Sequence, residues 1–339
     1  MSFLVTGGTG FIGSYVVRCL LAHGERVVCL DRCPDAEMLG LFASEVEVIE
    51  TEVGDRQQLA GVFEGHPDID RVMHLAYMMG AESEADPPAA MRVNALGTAN
   101  LFAEACTHRV KRIVFTSSES VYGKSQAIYG DRPVSEEDFC SPRDHVLNYS
   151  LTKLLNEHLA AKYEAGCGIP IVSVRPPVVF GHGRKRGTTA WASDFASLPA
   201  VGQSVTLPFP ENDWNCYVYV ADLAEQIYQL AVKPSLAYRV YNSGGHTLPA
   251  PELAALVREQ IPQAQIGFSP EKLNSPFIYR MDDRRIRQEL GCLLRPMRDA
   301  VADHIKEVRQ RLLVRESLIA RQFQQVGRSL HTWTREPSS

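Results

Sequence analysis

Residues 3–13 read FLVTGGTGFIG, and this stretch decides the fold. Its first residues predict a short buried strand, and the segment from Phe11 to Leu21 has the spacing of an amphipathic helix. A helix that follows a strand and a glycine turn presents backbone N–H groups and a favourable dipole to an anion. The stretch therefore predicts a pyrophosphate site of a dinucleotide, with contacts at Gly7, Gly10, Phe11, Ile12 and Gly13.

An acidic residue ends the second predicted strand. That strand runs from Arg26 to Leu30 and leads to Asp31, eighteen residues beyond Gly13. An acidic side chain at about this distance suits an adenosine ribose with two free hydroxyls, as in NAD. The adjacent Arg32 can accommodate a 2′-phosphate, which keeps NADP open, but Asp31 would repel that phosphate. We therefore predict NAD as the cofactor.

Composition excludes several classes of partner. The 339 residues have room for one large domain or two of ordinary size, and 45% of them are hydrophobic and 22% charged. A net charge of −5 argues against nucleic acid or an anionic membrane as the main partner. No apolar run approaches the roughly 18 residues of a membrane helix. Because the first predicted strand starts at residue 3, we expect no secretory signal peptide.

The eight cysteines are scattered along the chain and include no C-x-x-C pair. Cysteines on predicted strands and helices are usually small core residues of a protein in a reducing compartment. We therefore expect no metal site and a cytoplasmic location. The expected partner is a small-molecule substrate.

Strands and helices are predicted to alternate through the first half of the chain. The strands lie near residues 3–5, 26–30, 46–49, 69–76, 112–117 and 171–175. Helices are expected after Asp55 and at about 88–107 and 146–165. This alternation predicts an α/β fold, a doubly wound parallel sheet with helices on both faces.

Beyond Pro177 the pattern loosens into short strands and helices between turn signals. That composition predicts a smaller, mixed lobe that closes over the carboxyl ends of the strands. The predicted division is a Rossmann domain over 1–176 to which 215–245 returns, a substrate lobe over 177–214 and 246–312, and a C-terminal helix or tail over 313–339.

The predicted helix near residue 150 carries a Tyr-x-x-x-Lys pair, Tyr149 and Lys153. A spacing of four places both side chains on one helical face. A nearby ammonium lowers the pKa of a tyrosine from its usual value of about 10, so Tyr149 can act as a general acid/base. Ser118 follows the fifth strand, at the edge where ligands of such sheets bind, and can hydrogen-bond the oxygen that is oxidised or formed.

Together these motifs resemble, in the same order along the chain, those of the extended short-chain dehydrogenase/reductases, in particular the NAD-dependent epimerase/dehydratase family. The resemblance covers about residues 3–310. The matching motifs are Gly7-x-x-Gly10-x-x-Gly13, Asp31, Gly54-Asp55, His74-Leu75-Ala76, Val93-Asn94-x-x-Gly97-Thr98, Val121-Tyr122-Gly123, Tyr149-x-x-x-Lys153, Arg175-Pro176, Tyr219-Val220-x-Asp222 and Glu289-Leu290-Gly291.

The resemblance implies roles for further residues. Tyr149 would be the general acid/base, Lys153 its electrostatic partner and Ser118 the donor to the substrate oxygen. Asp55 would contact the adenine, although an Asp before a helix is also a good N-cap. A homodimer is implied as well. Beyond the glycine turn, Asp31 and Arg32, the implied cofactor contacts are Asp55, Arg56, Leu75, Ala76, Asn94, Ser117, Tyr149, Lys153, Pro176 and Val178.

The chain departs from the family's pattern where the substrate would bind. The 4,6-dehydratases carry Thr-Asp-Glu where this chain has Ser118-Glu119-Ser120, so we do not expect dehydration. Nucleotide-sugar epimerases usually have, after the sixth strand, an Asn that meets the diphosphate, whereas this neighbourhood reads Pro177-Val178-Val179-Phe180 here. Asn215 stands where they tend to have an arginine. The candidate substrate contacts, besides Ser118 and Tyr149, are Glu119, Arg184 and Arg280.

We therefore expect an NAD-dependent oxidoreductase that transfers a hydride at a secondary hydroxyl or carbonyl of a sugar-like or small hydroxylated substrate. If the ketone is kept and reduced again from the other face, the enzyme is a sugar or nucleotide-sugar epimerase, and this alternative stays open. A non-catalytic NAD(P)-binding sensor or scaffold is the alternative of another class. The presence of Ser118, Tyr149 and Lys153 argues against it, because a sensor needs only the glycine turn.

Overall fold

Short buried strands form the framework of the protein. The structure, a computed structural model, describes residues 1–271, 277–291 and 294–313. Strands β1, β5 and β6 are buried along their whole length, as is usual for strands of a parallel sheet covered on both faces. In these ranges the strands are β1 (Ser2–Thr6), β2 (Arg26–Asp31), β3 (Glu47–Glu50), β4 (Ile69–His74), β5 (Arg112–Thr116), β6 (Ile171–Arg175), β7 (Val178–Phe180), β8 (Val205–Leu207), β9 (Trp214–Tyr219), β10 (Val240–Asn242), β11 (His246–Pro249) and β12 (Ile266–Phe268).

Helices connect most of these strands. The helix predicted over 88–107 is interrupted, because residues Met91–Gly97 form a π-helical segment within it. In the described part of the chain the helices are α1 (Phe11–Ala22), α2 (Ala36–Leu39), α3 (Arg56–Gly65), α4 (Gly80–Ala85), α5 (Pro87–Ala90), α6 (Thr98–Thr107), α7 (Asn148–Cys167), α8 (Trp191–Ala200), α9 (Val220–Val232), α10 (Ala250–Gln260), α11 (Arg284–Leu290) and α12 (297–313).

Seven parallel strands make the main sheet, in the order β10-β6-β5-β4-β1-β2-β3. The chain runs outward from β1 to β3 on one side and from β4 to β10 on the other. The order therefore reverses between β1 and β4, and ligands of such sheets bind at the carboxyl ends of the strands at this point. The predicted doubly wound α/β fold is confirmed.

The smaller lobe has two sheets of its own. Strand β9 pairs antiparallel with β11 and parallel with β7, and β12 pairs with β8. Within 215–245, β10 joins the main sheet and α9 packs on α1, whereas β9 belongs to the small mixed sheet. The domain boundaries stay a prediction.

A disulfide joins α6 to α7. It connects Cys106 with Cys167, whose Cα atoms are 5.9 Å apart. The expectation of core cysteines in a reducing compartment is therefore wrong for this pair. The two cysteines are 61 residues apart, so the sequence alone did not predict the pairing. Only the packing of the two helices brings the sulfurs together. Disulfides persist in oxidising compartments, so the cysteines do not support the cytoplasmic location, which stays a prediction.

The end of the described chain packs against its beginning. Glu307 of α12 accepts hydrogen bonds from the Tyr15 hydroxyl at 2.5 Å and from Arg18 Nη1 at 2.7 Å, both on α1. Most of the predicted C-terminal helix or tail, residues 314–339, lies outside the described residues. Among the described helices, none combines the length and the apolar character that a membrane span requires.

Candidate active site

The glycine turn joins β1 to α1 at the point where the strand order reverses. Gly7 has a φ of 67°, and its N–H donates to the carbonyl of Leu30 at 2.7 Å. A Cβ at Gly7 would lie 2.9 Å from Ala76 N, and one at Gly13 would lie 1.9 Å from the carbonyl oxygen of Gly7. No side chain caps α1, whose N-cap is Gly10. Its first N–H groups therefore remain available to an anion, and this geometry fits a pyrophosphate.

A cavity of about 310 Å³ lies over this turn. It extends from the carboxyl ends of β1 and β2 to the segment after β4, and the three residues that follow β3, Thr51 to Val53, also line it. Of the predicted cofactor contacts, its walls contain Gly7, Gly10, Phe11, Ile12, Gly13, Asp31, Arg32, Leu75 and Ala76.

Asp31 is tied to the glycine turn. Its Oδ2 accepts from the Thr9 hydroxyl at 2.7 Å and from Thr9 N at 3.2 Å, and its Oδ1 accepts from Cys33 N at 3.2 Å. Arg32 is exposed at the same rim. The carboxylate predicted to recognise the ribose thus has a fixed position, and Thr9 holds it there. The sequence analysis did not single out Thr9.

Asp55 and Arg56 lie outside the cavity wall. The Asp55 carboxylate caps α3 by accepting from Gln57 N at 3.0 Å and Gln58 N at 3.1 Å. Arg56 is exposed and pairs with Glu104 at 2.7 Å. The structure therefore accounts for Asp55 as an N-cap, and the predicted adenine contact gains no support from the lining of the cavity.

Asn94 contacts the cofactor cavity indirectly, by hydrogen bonds to the backbone of a residue in the cavity wall. The side chain is fully buried in the π-helical segment, where its Oδ1 accepts from Met78 N at 2.8 Å and its Nδ2 donates to Met78 O at 3.0 Å. Asn94 itself does not line the cavity, whereas Met78 does. The residue holds the segment after β4 in place.

A second, smaller cavity of about 90 Å³ adjoins the first. Ile12, Leu75 and Tyr77 line both, so the space runs from the glycine turn to the end of β5. Sequence analysis missed Tyr77, Thr188, Thr189 and Phe277, which also line this cavity. Of the predicted residues, the smaller cavity brings together Ser117, Ser118, Glu119, Tyr149, Lys153, Pro176, Val178 and Arg184. We call it the reactive cavity.

Tyr149 lies in a desolvated part of the reactive cavity. Burial raises the pKa of its phenol to about 12, although a hydrogen bond with Ser118 and the charge of Arg184 act in the opposite direction. The net shift of this pKa is upward because burial outweighs these two contributions. Lys153 is not among the groups that act on the phenol, and its predicted effect on the pKa stays a prediction.

Lys153 lies beneath a tyrosine ring instead. Its Nζ donates to the Thr116 carbonyl at 2.5 Å and lies 3.2 Å from the ring centre of Tyr77, but 5.5 Å from that of Tyr149. Burial lowers the pKa of the ammonium well below its usual value. The Tyr77 ring packs edge-on against Tyr149 and its hydroxyl contacts Asn156. Tyr77 thus lies between the two residues of the Tyr-x-x-x-Lys motif, with a cation–π contact to Lys153 and a ring contact to Tyr149.

The three candidate substrate contacts have different positions. Glu119 is 3% exposed, and burial raises its carboxyl pKa well above the usual range. Arg184 is half-buried, donates to Val179 O at 2.6 Å and has its pKa lowered by burial to about 10. Arg280 is exposed and donates to Asp131 O at 2.9 Å. Arg280 is not among the described residues that line the reactive cavity, and its contact with the substrate stays a prediction.

A larger cavity of about 500 Å³ opens on the other side of Phe277, which lines it together with the reactive cavity. Two aromatic rings, Trp214 and Tyr279, lie in its wall with their centres 6.2 Å apart. Asn215, which stands in place of the arginine common in nucleotide-sugar epimerases, lies there too.

One group of potential metal ligands lies away from these cavities. Cys19 of α1, His23 just after α1 and Glu225 of α9 offer three ligand atoms within 4.8 Å of one another, and both Cys19 and His23 hydrogen-bond Glu225. It is the only such group found among the described residues. The expected absence of a metal stays a prediction.

Comparison with known proteins agrees with this geometry. The sequence model of the "NAD dependent epimerase/dehydratase family" matches residues 3–244. The UDP-glucose 4-epimerase of Halalkalibacterium halodurans is 34% identical over 176 residues, which are 52% of this chain and 50% of that protein. The chain thus matches half the length of this relative.

Solved structures of other proteins are similar to this chain over nearly its whole length. The UDP-glucose 4-epimerase of Thermus thermophilus in complex with NAD is 25% identical, with a TM-score of 0.75 and coverage of 91% of this chain and 99% of that one. The holo form of a GalE-like L-threonine dehydrogenase from Cupriavidus necator is also 25% identical, with a TM-score of 0.80 and coverage of 91% and 100%.

Proposed function

Because the chain belongs to the NAD-dependent epimerase/dehydratase family, we propose that it is a dehydrogenase acting on a secondary hydroxyl of a small substrate. Members of this family are NAD-dependent enzymes, and NAD is the cofactor. The size of the reactive cavity carries the proposal. Its volume is about 90 Å³, whereas pockets for drug-sized ligands span about 300–1,000 Å³. A nucleotide sugar would have to extend beyond this cavity.

The cavity over the glycine turn fits the dinucleotide. The uncapped N–H groups of α1 and the close approach at Gly13 suit a pyrophosphate, and Asp31 suits the ribose of NAD. Bound NAD supplies the acceptor for the substrate's hydride. The reactive cavity continues from this site at Ile12 and Leu75 and reaches Tyr149, so its residues can act on a substrate hydroxyl there.

Tyr149 is the group that takes the substrate's proton. With a pKa of about 12 its phenol is neutral in the free protein, and a positive charge brought into the cavity favours the phenolate. Ser118 hydrogen-bonds Tyr149 and can hold the same substrate oxygen. Proton transfer of this kind contributes about 10²–10⁴-fold to the rate. A sensor without turnover would not need these groups, so we do not favour that alternative.

The similarity to the Cupriavidus necator protein supports a small substrate. That protein is an L-threonine dehydrogenase and is covered completely at a TM-score of 0.80. L-Threonine carries a secondary hydroxyl and few other atoms. The lack of an Asn in the stretch 177–180 and the presence of Asn215 in place of an arginine also argue against a nucleotide sugar.

A nucleotide-sugar epimerase is the second candidate. The observation that favours it is the cavity of about 500 Å³ that shares Phe277 with the reactive cavity, since it could receive the remainder of a longer substrate. The similarity to UDP-glucose 4-epimerases points the same way. In that reaction the ketone would stay bound and be reduced again, so no NADH would accumulate.

A substrate panel tests the two candidates. The full-length protein is incubated with NAD and L-threonine, free sugars, uronates or UDP-glucose, and both NADH and products are measured. Accumulating NADH supports the dehydrogenase, whereas product without net NADH supports the epimerase. Tyr149→Phe should retain NAD binding and lose nearly all turnover. Full activity in this variant would exclude Tyr149 as the acid/base.

We further propose that the protein is a homodimer. Leu151 and Leu155 of α7 are 42% and 38% exposed, and Leu96 in the adjoining π-helical segment is 51% exposed. Leu151 and Leu155 are four residues apart and therefore share one face of α7. Two copies could pair these apolar faces and bury them.

A further inference from the structure

Arg184 lies where the two cavities meet. It belongs to the loop between β7 and α8 and lines both the cofactor cavity and the reactive cavity. Its Nη1 donates to Val179 O at 2.6 Å, and its guanidinium carbon lies 5.8 Å from the ring centre of Phe11. The backbone contact holds the side chain in this place, so the guanidinium is preorganised for a ligand.

The guanidinium of Arg184 has no carboxylate partner among the described residues. Its two loop neighbours do have one, since Lys185 pairs with Asp35 at 3.3 Å and Arg186 with Glu82 at 3.7 Å. A cation in a partly desolvated cavity is stabilised by an anion of complementary geometry. A bound ligand can supply that anion.

Glu119 does not neutralise this charge. Its carboxyl is 3% exposed, and its Oε2 is buried without a hydrogen-bond partner. Burial raises the pKa of Glu119 well above the usual range, which disfavours its carboxylate form. The reactive cavity therefore combines the guanidinium of Arg184 with an acid whose charged form is disfavoured by burial.

We propose that Arg184 binds the carboxylate of the substrate, and that the substrates are small hydroxy acids whose hydroxyl lies at Ser118 and Tyr149. The cavity of about 90 Å³ has both the cation and the hydroxyl-binding groups in its wall. Thr188 and Thr189 add two further hydroxyls to that wall. This inference rests on the proposed dehydrogenase function and specifies its substrate class.

The cofactor's pyrophosphate is the competing source of anionic oxygens, since Arg184 also lines the larger site. Two observations favour the substrate. Arg184 shares the wall of the reactive cavity with Ser118 and Tyr149, the two residues assigned to the substrate hydroxyl. The N–H groups of α1 are available to the pyrophosphate without help from Arg184.

Calorimetry tests whether Arg184 binds the substrate's carboxylate or the cofactor's pyrophosphate. The NADH-saturated full-length protein is titrated with L-threonine and 3-hydroxybutyrate, and with the amide of each. We expect each carboxylate to bind about 10- to 100-fold more tightly than its amide, as for a charge-assisted hydrogen bond. Arg184→Gln should abolish this preference, and Arg184→Lys should restore part of it. As a matched control, Arg284→Gln removes an exposed arginine that pairs with Asp282 and should preserve the preference.

Two results would overturn the inference. One is a wild-type protein that binds no carboxylate more tightly than the matching amide. The other is an Arg184→Gln variant that keeps the preference but binds NADH about 10-fold or more weakly, since the guanidinium then serves the cofactor. Absence of NADH formation with every substrate of the panel would instead contradict the proposed function, because the calorimetric preference does not depend on turnover.

Discussion

At the residue scale, the environment of Tyr149 sets when its proton can move. Its phenol lies in a desolvated cavity, and that burial outweighs both the Ser118 hydrogen bond and the charge of Arg184. Lys153, four residues along α7, directs its ammonium to the Thr116 carbonyl and the Tyr77 ring. The basic form of Tyr149 is therefore scarce in the free protein at neutral pH.

The pH dependence of the reaction should reflect this pKa. Because Tyr149 must be deprotonated to accept a proton and its pKa is raised to about 12, kcat/KM for oxidation should increase with pH. The expected slope is about tenfold per pH unit through the neutral range, and kcat/KM reports the free enzyme's groups. Initial rates of NADH formation measure the profile. A kcat/KM that is independent of pH would contradict the assigned role.

The backbone of Gly13 tolerates no side chain. Its Cβ would lie 1.9 Å from Gly7 O, so we expect Gly13→Ala to displace α1 from the turn and to abolish measurable NAD binding. Gly61→Ala in α3 is the matched control, since nothing lies within 4 Å of its Cβ. In a helix interior the alanine should stabilise the protein by about 0.5–1 kcal/mol. Calorimetric NAD titration and thermal melts test both. Unchanged NAD affinity in Gly13→Ala would contradict the prediction.

At the element scale, the helix before β5 differs from its sequence pattern. Apolar spacing predicts one helix over 88–107, and the structure has a π-helical segment at Met91–Gly97. The carbonyl of Asn94 there accepts from the Thr98 hydroxyl at 2.7 Å and from Asn156 Nδ2 at 2.8 Å. π-Helical turns often mark functional sites. In this chain the segment holds Met78 in the wall of the cofactor cavity.

The disulfide between α6 and α7 should stabilise the protein when it is oxidised. It spans 61 residues, and closing a loop of this length in the unfolded chain contributes about 4 kcal/mol in the chain-entropy estimate. Cys106→Ser should remove most of that stability. Urea unfolding with and without a reductant measures the loss. Wild type and variant should be equally stable in reductant, and a large remaining difference would indicate a packing effect instead.

At the scale of the whole molecule, the two ends of the described chain are joined. Glu307 of α12 binds Tyr15 and Arg18 on α1, the helix that starts at the glycine turn. Burial alone would raise the pKa of the Glu307 carboxyl, but the charges of Arg18 and Arg311 and the hydrogen bonds from Tyr15 and Arg18 together outweigh it, and the pKa is lowered. A lowered carboxyl pKa means that this contact stabilises the fold above the unfolded pKa and is lost as pH falls.

The proposed dimer can be tested on α7. Leu155→Glu places a charge on the exposed apolar face and should produce a monomer with an unchanged far-UV spectrum, because the side chain is 38% exposed. Leu41→Glu, at a position that is 77% exposed and outside that face, is the control and should stay dimeric. Light scattering after size exclusion gives the masses. A monomeric wild type, or a dimeric Leu155→Glu variant, would contradict the proposed interface.

Local patterns predicted most elements closely. The second strand was expected at 26–30 and occupies Arg26–Asp31, and the helix with Tyr149 was expected at 146–165 and occupies Asn148–Cys167. Side-chain spacing and turn residues are local properties, which is why they succeed here. Tyr77 and Thr9 were missed because their roles depend on Lys153 and Asp31, which lie far away in sequence. The hydrogen bond of Arg280 to the backbone of Asp131 was likewise not foreseen, because that loop is distant in sequence.

By itself, the sequence of residues 3–13 determined the strand, the glycine turn and the helix of a dinucleotide site. Glycine is required there for steric reasons that act within a few residues, as the contact between Gly13 and Gly7 shows. Only the tertiary structure decided the chemistry of the reactive cavity. Burial raises the pKa values of Tyr149 and Glu119 and lowers that of Lys153. These effects arise from atoms that distant segments bring together, so no local pattern could reveal them.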